Sequence, residues 1–209
     1  MNKKGFTLLE VVMTLAIVGA IAAIVYTTVL PKIEDAQHKT EFKETYSVLD
    51  QATSRIKADN GGSLKGVFPN NNAMRDKYKQ YLNTVKSCDA GQAFGNCWHN
   101  DGSLKWLNGS PITGWNDNAG MILNNGVLLY FGISSPSCTA LSGTLLSCGF
   151  ILIDVNGWKV PNTIGKDIYG IRVQETGIKP MGTKGESYEN TCTSSNNGLG
   201  CAAKVLMGQ

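Results

Sequence analysis

The sequence predicts an α+β protein in which one long amino-terminal helix covers a small antiparallel sheet. An apolar run without any charge occupies residues 11–31, and a helical apolar pattern follows it over residues 42–56. Short apolar segments then follow one another with turn residues but no long helical pattern between them, which favours antiparallel pairing. Six cysteines in three local clusters predict disulfide-stapled loops in an oxidising compartment.

The apolar segment from Phe6 to Leu30 has the length of a membrane-spanning helix. A helix of this length can cross the hydrocarbon layer, which is about 30 Å thick. Lys3 and Lys4 precede the segment, so the positive-inside rule leaves the amino end in the cytoplasm. The residues after Lys32 are then expected on the far side of the membrane, in agreement with the cysteines.

Pro31 interrupts this helical pattern. Because proline lacks an N–H donor and its ring crowds the preceding turn, a kink is expected near residues 27–30. The helix then resumes over residues 31–58 and is expected to end at the glycines that follow Asp59. The resumed half has one apolar face, which is predicted to cover the sheet. This face comprises Phe42, Tyr46, Leu49, Ala52 and Ile56.

Glu10 is the one charged residue within the segment 6–30. A charge at the centre of a membrane helix costs at least about 2.5–3.5 kcal/mol and is therefore a functional candidate. Glu10 could instead lie at the headgroup level as a solvated flank. The functional hypothesis needs a cation. Cleavage between Gly5 and Phe6 would create one, because the new α-amine could meet the carboxylate of a neighbouring copy.

The stretch KGFTLLE at residues 4–10, with the apolar run behind it, resembles the class III signal of type IV prepilins and type II secretion pseudopilins. The resemblance implies that residues 1–5 are a leader, removed after Gly5 by a prepilin peptidase on the cytoplasmic face. It also implies N-methylation of Phe6. Glu10 would engage the Phe6 amine of a neighbouring subunit during filament assembly, although it could also pair with Phe6 of its own helix.

An ordinary secretory signal is a competing interpretation of this segment. The residues Ala20-Ile21-Ala22 satisfy its small-residue cleavage pattern. The apolar stretch nevertheless continues to Leu30 without a polar cleavage region, and an acid just before the apolar core is atypical. An uncleaved signal anchor is the third interpretation.

The head, residues 59–209, is predicted to contain a second helix and four strands. The helix is expected over residues 72–86, capped by Asn71 or Asn72. The strands are expected over Met121–Leu123, Val127–Ile133, Gly149–Val155 and Ile168–Gln174. Residues 202–207 fit either a helical turn or an edge strand. This arrangement matches the pilin-type α/β roll that the resemblance implies.

Two tryptophans, Trp106 and Trp115, lie in the loop-like segment 99–118. They are predicted to pack over a core, because large aromatic side chains mostly contribute through burial. Binding of a partner is the alternative role for these two side chains.

The cysteines have eight, nine and eight residues between successive partners, which favours sequential pairing. Six cysteines nevertheless allow 15 pairings. Each bridge would stabilise the fold by about 2–3 kcal/mol. A zinc site is the alternative, but the spacing differs from paired C-x-x-C motifs. The favoured pairs are Cys88 with Cys97, Cys138 with Cys148, and Cys192 with Cys201.

Residues 154–167 form the one loop with a candidate metal site. Its oxygen donors, of the kind that Ca²⁺ takes, are Asp154, Asn156, Asn162 and Asp167. The segment fails the EF-hand template, because its twelfth position is Gly165. The dipeptide Asn156-Gly157 is also a turn signal, so a structural connector is the alternative.

Composition and motifs exclude several classes of function. A net charge of +3 with scattered basic residues argues against nucleic-acid binding. No catalytic motif surrounds His38 or His99, so neither enzyme activity nor a required cofactor is expected.

The resemblance implies a structural filament subunit, either a pilin, a minor pilin or a pseudopilin, of a type IV pilus or type II secretion filament. The implied partners are other pilin-like subunits, a prepilin peptidase that also methylates, and an inner-membrane assembly platform. The chain would span the bacterial inner membrane once before it joins an extracytoplasmic filament. The alternative function is a membrane-anchored extracytoplasmic binding domain, whose binding could depend on calcium.

Overall fold

The computed structural model describes Gly5 and residues 7–208 of the chain. Residues 1–4 and Phe6, which belong to the predicted leader and cleavage site, lie outside the described residues. The chain divides into two units, one through Gln37 and the other from His38 onward. The boundary falls inside the range 31–58 that the sequence analysis assigns to the amphipathic half of the helix.

The amino-terminal unit is helical from Leu8. The helical elements of the first 59 residues are α1 (Leu8–Ile24), a π-helical turn (Val25–Val29) and α2 (Leu30–Asp59). In the π-helical turn, the Leu30 N–H donates to the Val25 carbonyl five residues earlier. The hydroxyls of Thr27 and Thr28 donate to carbonyls one turn earlier. The irregularity expected just before Pro31 is therefore a π-helical turn.

The part of α2 from His38 onward packs one face against the sheet, as its apolar spacing predicts. The deeply buried members of this face are Phe42, Leu49, Ala52 and Ile56. Tyr46 is half-buried and donates its hydroxyl to the Ile178 carbonyl. Gly61 and Gly62 have positive φ angles directly after the helix, which confirms the predicted helix end.

The described residues contain eight strands, six of which form one antiparallel sheet. The strands are β1 (Thr84–Cys88), β2 (Ala119–Leu123), β3 (Leu128–Ile133), β4 (Ala140–Ser142), β5 (Leu145–Ser147), β6 (Gly149–Asp154), β7 (Ile168–Gln174) and β8 (Gly177–Pro180). The order in the large sheet is β1-β2-β3-β6-β7-β8, and every neighbouring pair is antiparallel. The short hairpin β4–β5 lies between β3 and β6 in the chain. The predicted antiparallel meander is confirmed.

Both faces of the central strands are buried. In β3, Leu129 and Phe131 belong to the hydrophobic cluster that contains the buried face of α2. Leu128 and Tyr130 point to the opposite face of the sheet and belong to a second hydrophobic cluster. This second cluster also contains strand residues such as Leu152 and Ile168, and loop residues between 93 and 115 and between 181 and 199 supply much of the remainder. Successive residues of a strand point to opposite faces of the sheet. Because both faces of β3 are covered, its sequence is continuously apolar and does not alternate with polar residues.

The helix predicted over residues 72–86 is shorter in the structure. Helix α3 covers Asn71–Lys79, and the end of the predicted range forms β1, an edge strand that pairs with β2. Pairing across the sheet thus overrides the helical spacing in this segment. At the carboxyl end, α4 (Cys201–Met207) is a helix and not an edge strand.

The cap of α3 also differs from the prediction. The side chain of Asn70, and not that of Asn71 or Asn72, accepts the Ala73 N–H at 2.9 Å. The other two asparagines have tertiary partners. Their Oδ1 atoms each accept, at 2.8 Å, a backbone N–H from outside the helix, namely that of Ile133 or Ala90.

Candidate functional site

The three disulfides are the sequential pairs that the cysteine clustering predicts. They join Cys88 to Cys97 at the end of β1, Cys138 to Cys148 around the β4–β5 hairpin, and Cys192 to Cys201 at the start of α4. All six cysteines are therefore oxidised. A zinc site built from cysteines requires free thiolates, and this pairing leaves none for it.

Glu10 lies in the first turn of α1 and forms a capping box with Thr7. Thr7 Oγ1 accepts the Glu10 N–H at 3.2 Å, and Glu10 Oε2 accepts the Thr7 N–H at 2.9 Å. The Thr7 hydroxyl also donates to Glu10 Oε2 at 2.8 Å. Within one chain, the carboxylate thus satisfies donors at the start of the helix. The T-x-x-E spacing of residues 7–10 is the sequence signal that could have predicted this role.

Apart from Glu10 and Thr14, the side chains of α1 are apolar, and all of them are exposed. No residue of α1 is buried. One helix, Leu8–Asp59, is long and apolar enough to cross a membrane by its length and composition. Gly5 is exposed, whereas Phe6 lies outside the described residues. Cleavage, methylation and the pairing of Glu10 with an amine therefore stay predictions.

The loop with the candidate metal ligands begins at Asp154, which forms a buried pair with His99. Asp154 Oδ2 lies 2.7 Å from His99 Nε2, and Asp154 Oδ1 accepts the Asn156 N–H. Burial raises the pKa of Asp154 to about 7, although the hydrogen bond from His99 opposes the increase. The pair joins this loop to the loop that covers the second face of the sheet.

The same loop ends at Asp167, whose carboxylate accepts the N–H groups of Asn162 and Thr163, each at 2.7 Å. Burial raises the pKa of Asp167, and these two hydrogen bonds partly oppose the increase. Such bonds are typical of a structural connector. Yet Asn156 Oδ1 and Asn162 Oδ1 are buried and have no hydrogen-bond partner among the described residues. Calcium binding by this loop stays a prediction.

Asp154 is expected to make the stability of the fold fall as the pH rises from about 4 to about 7. Its folded pKa of about 7 lies above the value of an unfolded aspartate, about 3.9, so the native state binds more protons in this window. The stabilisation that Asp154 contributes through its bound proton is complete below about pH 4 and is lost as the pH rises through about 7. The expected loss in the free energy of unfolding is about 1–3 kcal/mol.

Urea unfolding of the full chain in detergent, at about pH 5 and about pH 8, measures this effect. Asp154→Asn keeps the shape of the side chain but removes its titration, so the variant should show a smaller change. Asp50→Asn, at an exposed position of α2, is the matched control and should behave like the parent chain. Equal pH dependence of the parent and Asp154→Asn would contradict the prediction.

A buried ion pair on the second face of the sheet is absent from the sequence predictions. Arg172 Nη2 of β7 lies 2.8 Å from Glu186 Oε1. Glu186 also accepts hydrogen bonds from the Ser142 hydroxyl and from the N–H groups of Gly182 and Tyr188. Burial by itself raises the pKa of Glu186, but these hydrogen bonds together lower it below its usual value. The sequence does contain a signal that could have predicted this ion pair, namely an arginine inside the apolar strand IYGIRVQ. Buried arginines are almost always paired.

The prokaryotic N-terminal methylation motif matches residues 1–26 of the chain. The long helix on an antiparallel sheet, with three disulfides, is a pilin-like α+β architecture. The matched motif is the prepilin motif of type IV pilins and pseudopilins, and it indicates a type IV pilin-like or pseudopilin precursor. No curated protein and no solved structure matched the chain.

Proposed function

We propose that the protein is a structural subunit, either a pilin, a minor pilin or a pseudopilin, of a type IV pilus or type II secretion filament. The methylation motif over residues 1–26 is the observation that carries this proposal. The exposed apolar side chains of α1 support it, because such a surface needs lipid or neighbouring copies to cover it. Polymerisation through this helix would bury that surface.

The motif implies processing by a prepilin peptidase and assembly with other pilin-like subunits. The proposed path begins as a single-pass protein of the inner membrane with its amino end in the cytoplasm. An inner-membrane assembly platform would then transfer the subunit into a filament in the periplasm or at the cell surface. The proposed role is mechanical and not catalytic.

The intact mass of the protein, produced together with its native prepilin peptidase, tests the proposal. We expect the loss of residues 1–5 and a methyl group on the new α-amine of Phe6, because the motif directs both reactions. The same chain produced without the peptidase is the control and should keep residues 1–5. A retained leader in the presence of the peptidase, or a chain that begins after Ala22, would contradict the filament proposal.

The second candidate function is a membrane-anchored extracytoplasmic binding domain whose binding depends on calcium. The two buried amide oxygens without partners among the described residues, Asn156 Oδ1 and Asn162 Oδ1, favour it. Together with the carboxylates of Asp154 and Asp167, they would supply the oxygen ligands that Ca²⁺ takes.

We expect millimolar calcium to raise the Tm of the full chain by several degrees, because a ligand that binds only the native state stabilises it. A chelator should reverse the increase. Asp167→Asn should lose the response, whereas the exposed control Asp50→Asn should keep it. Identical Tm values in calcium and in chelator would refute the calcium site.

A further inference from the structure

The loop between β6 and β7 has an exposed tip, residues 158–160, that is both apolar and basic. Trp158 is 50% exposed and Val160 is 81% exposed, and the exposed Lys159 lies between them in the chain. Single exposed apolar side chains are ordinary, but here two large ones lie next to a lysine. This loop tip is therefore a candidate interaction surface.

The rest of the loop holds the loop tip in place. The Trp158 ring packs edge to face on His99 with 5.2 Å between the ring centroids. His99 is in turn bonded to the buried Asp154 at the start of the loop. At the other end, the Asp167 carboxylate accepts two backbone N–H groups of the loop. A supported loop thus presents the exposed half of the indole ring.

The exposed charges around the loop tip are positive. Lys159 and Lys166 belong to the loop, and Lys105 lies beside it, because its backbone bonds to those of Asn162 and Ile164. All three lysines are exposed, and none forms an ion pair with another residue that the structure describes. The aspartates at the two ends of the loop are buried. The surface therefore attracts an anionic partner.

The loop tip lies at the end of the sheet where α2 enters the carboxy-terminal unit. Phe42, near the start of this unit, stacks on Tyr169, which follows the loop. Lys57, near the end of α2, donates to the Thr176 carbonyl in the turn after β7. Because α2 and β7 thus run in the same direction, the loop before β7 lies where α2 enters. The charges of α2 at this end balance one another: Lys39, Glu41, Lys43 and Glu44.

The same end of the unit is tied by a short segment to the apolar part of the chain. Seven residues, 31–37, separate the apolar segment 6–30 from this unit. Even fully extended, they span at most about 30 Å. Whatever the angle between the two units, the end with the loop tip must therefore stay near the surface of any bilayer that the apolar segment spans.

We propose that the loop tip contacts the anionic phospholipid headgroups of the membrane that anchors the chain. Tryptophan is enriched at membrane–water interfaces, where its ring lies at the level of the headgroups. Lysines near the surface are attracted to anionic lipids. The contact holds the carboxy-terminal unit on the bilayer before assembly. It rests on the proposed membrane anchoring and not on filament formation.

Fluorine NMR of the full chain, labelled with 5-fluorotryptophan and reconstituted at one copy per lipid nanodisc, tests the contact. The chain has four tryptophans, so the Trp158 signal is the one that Trp158→Phe lacks. The nanodiscs contain phosphatidylcholine with or without phosphatidylglycerol, a lipid with a nitroxide on its headgroup, and a chelator that removes any effect of calcium. We expect the nitroxide to broaden the Trp158 signal more than the other three signals, and more strongly in nanodiscs with phosphatidylglycerol.

Lys159→Gln should weaken the contact about fivefold, because one lysine near an anionic surface contributes about that factor. The matched control is Lys65→Gln, which removes an exposed lysine beyond the opposite end of α2. The control should broaden the Trp158 signal as the parent chain does. An unchanged Tm verifies that each variant is folded.

Three outcomes would overturn the contact: broadening of the Trp158 signal no greater than that of the other signals, equal broadening without phosphatidylglycerol, or equal weakening by Lys159→Gln and Lys65→Gln. A Trp158 signal that changes only with two copies per nanodisc would assign the loop tip to a subunit contact instead. A chain that does not enter nanodiscs would contradict the anchoring as well. An anchored chain without broadening of Trp158 contradicts the contact alone.

Discussion

Glu10→Gln is expected to abolish filament assembly while cleavage after Gly5 continues. Glutamine still fits the capping box with Thr7, so the start of α1 is preserved. It lacks the negative charge that would neutralise the Phe6 amine of a neighbouring subunit. An unpaired charge in an apolar bundle costs about 3–5 kcal/mol, which corresponds to a loss of filaments of more than about a hundredfold. Electron microscopy and immunoblots of sheared filaments measure assembly, and intact mass measures processing.

Thr7→Ala is the matched control for this variant. It removes the hydroxyl that caps α1 but keeps the carboxylate of Glu10. The helix start should lose about 0.5–2 kcal/mol of stability, yet filaments should still form. Normal assembly of Glu10→Gln together with failure of Thr7→Ala would assign Glu10 a local capping role and refute the intersubunit pair.

Phe42→Ala is expected to destabilise the carboxy-terminal unit by about 3–5 kcal/mol. The Phe42 ring is fully buried and stacks on Tyr169 with 4.3 Å between the ring centroids. Its removal leaves a cavity between α2 and the sheet, where rigid neighbours cannot fill the space. Urea unfolding of the full chain in detergent, followed by tryptophan fluorescence, measures the free energy of unfolding.

Val48→Ala is the control for the core variant, because Val48 lies on the same helix and is 47% exposed. It should change the free energy of unfolding by less than about 0.5 kcal/mol. A loss below about 1 kcal/mol for Phe42→Ala would show that the packing of α2 on the sheet contributes little to stability.

The predictions that the structure confirms depend on spacing within one segment. The apolar face of α2 follows from a 3.6-residue period, and its end follows from the glycines after Asp59. The cysteines pair with their nearest partners, as clustering predicts. The central strands β2, β3, β6 and β7 are found where apolar runs lie between turn residues.

The errors come from segments whose neighbours across the fold override local preference. The helical spacing of residues 84–86 was outweighed by strand pairing of β1 with β2. Asn71 and Asn72 are good caps by residue type, yet each is engaged by a distant backbone N–H. The capping box of Glu10 is local and could have been predicted from its T-x-x-E spacing.

The sequence by itself determined the long apolar helix with its single acid, the methylation motif, the amphipathic face and the clustering that favoured the observed disulfide pairs. Only the tertiary structure decided how the second face of the sheet is covered. It joins His99 to Asp154, 55 residues later, and it aligns the Arg172–Glu186 pair with tryptophans from a separate loop. Helical and cysteine spacing can be read from residues that are close in sequence. The contacts on the second face depend instead on how segments that are distant in sequence pack onto one surface.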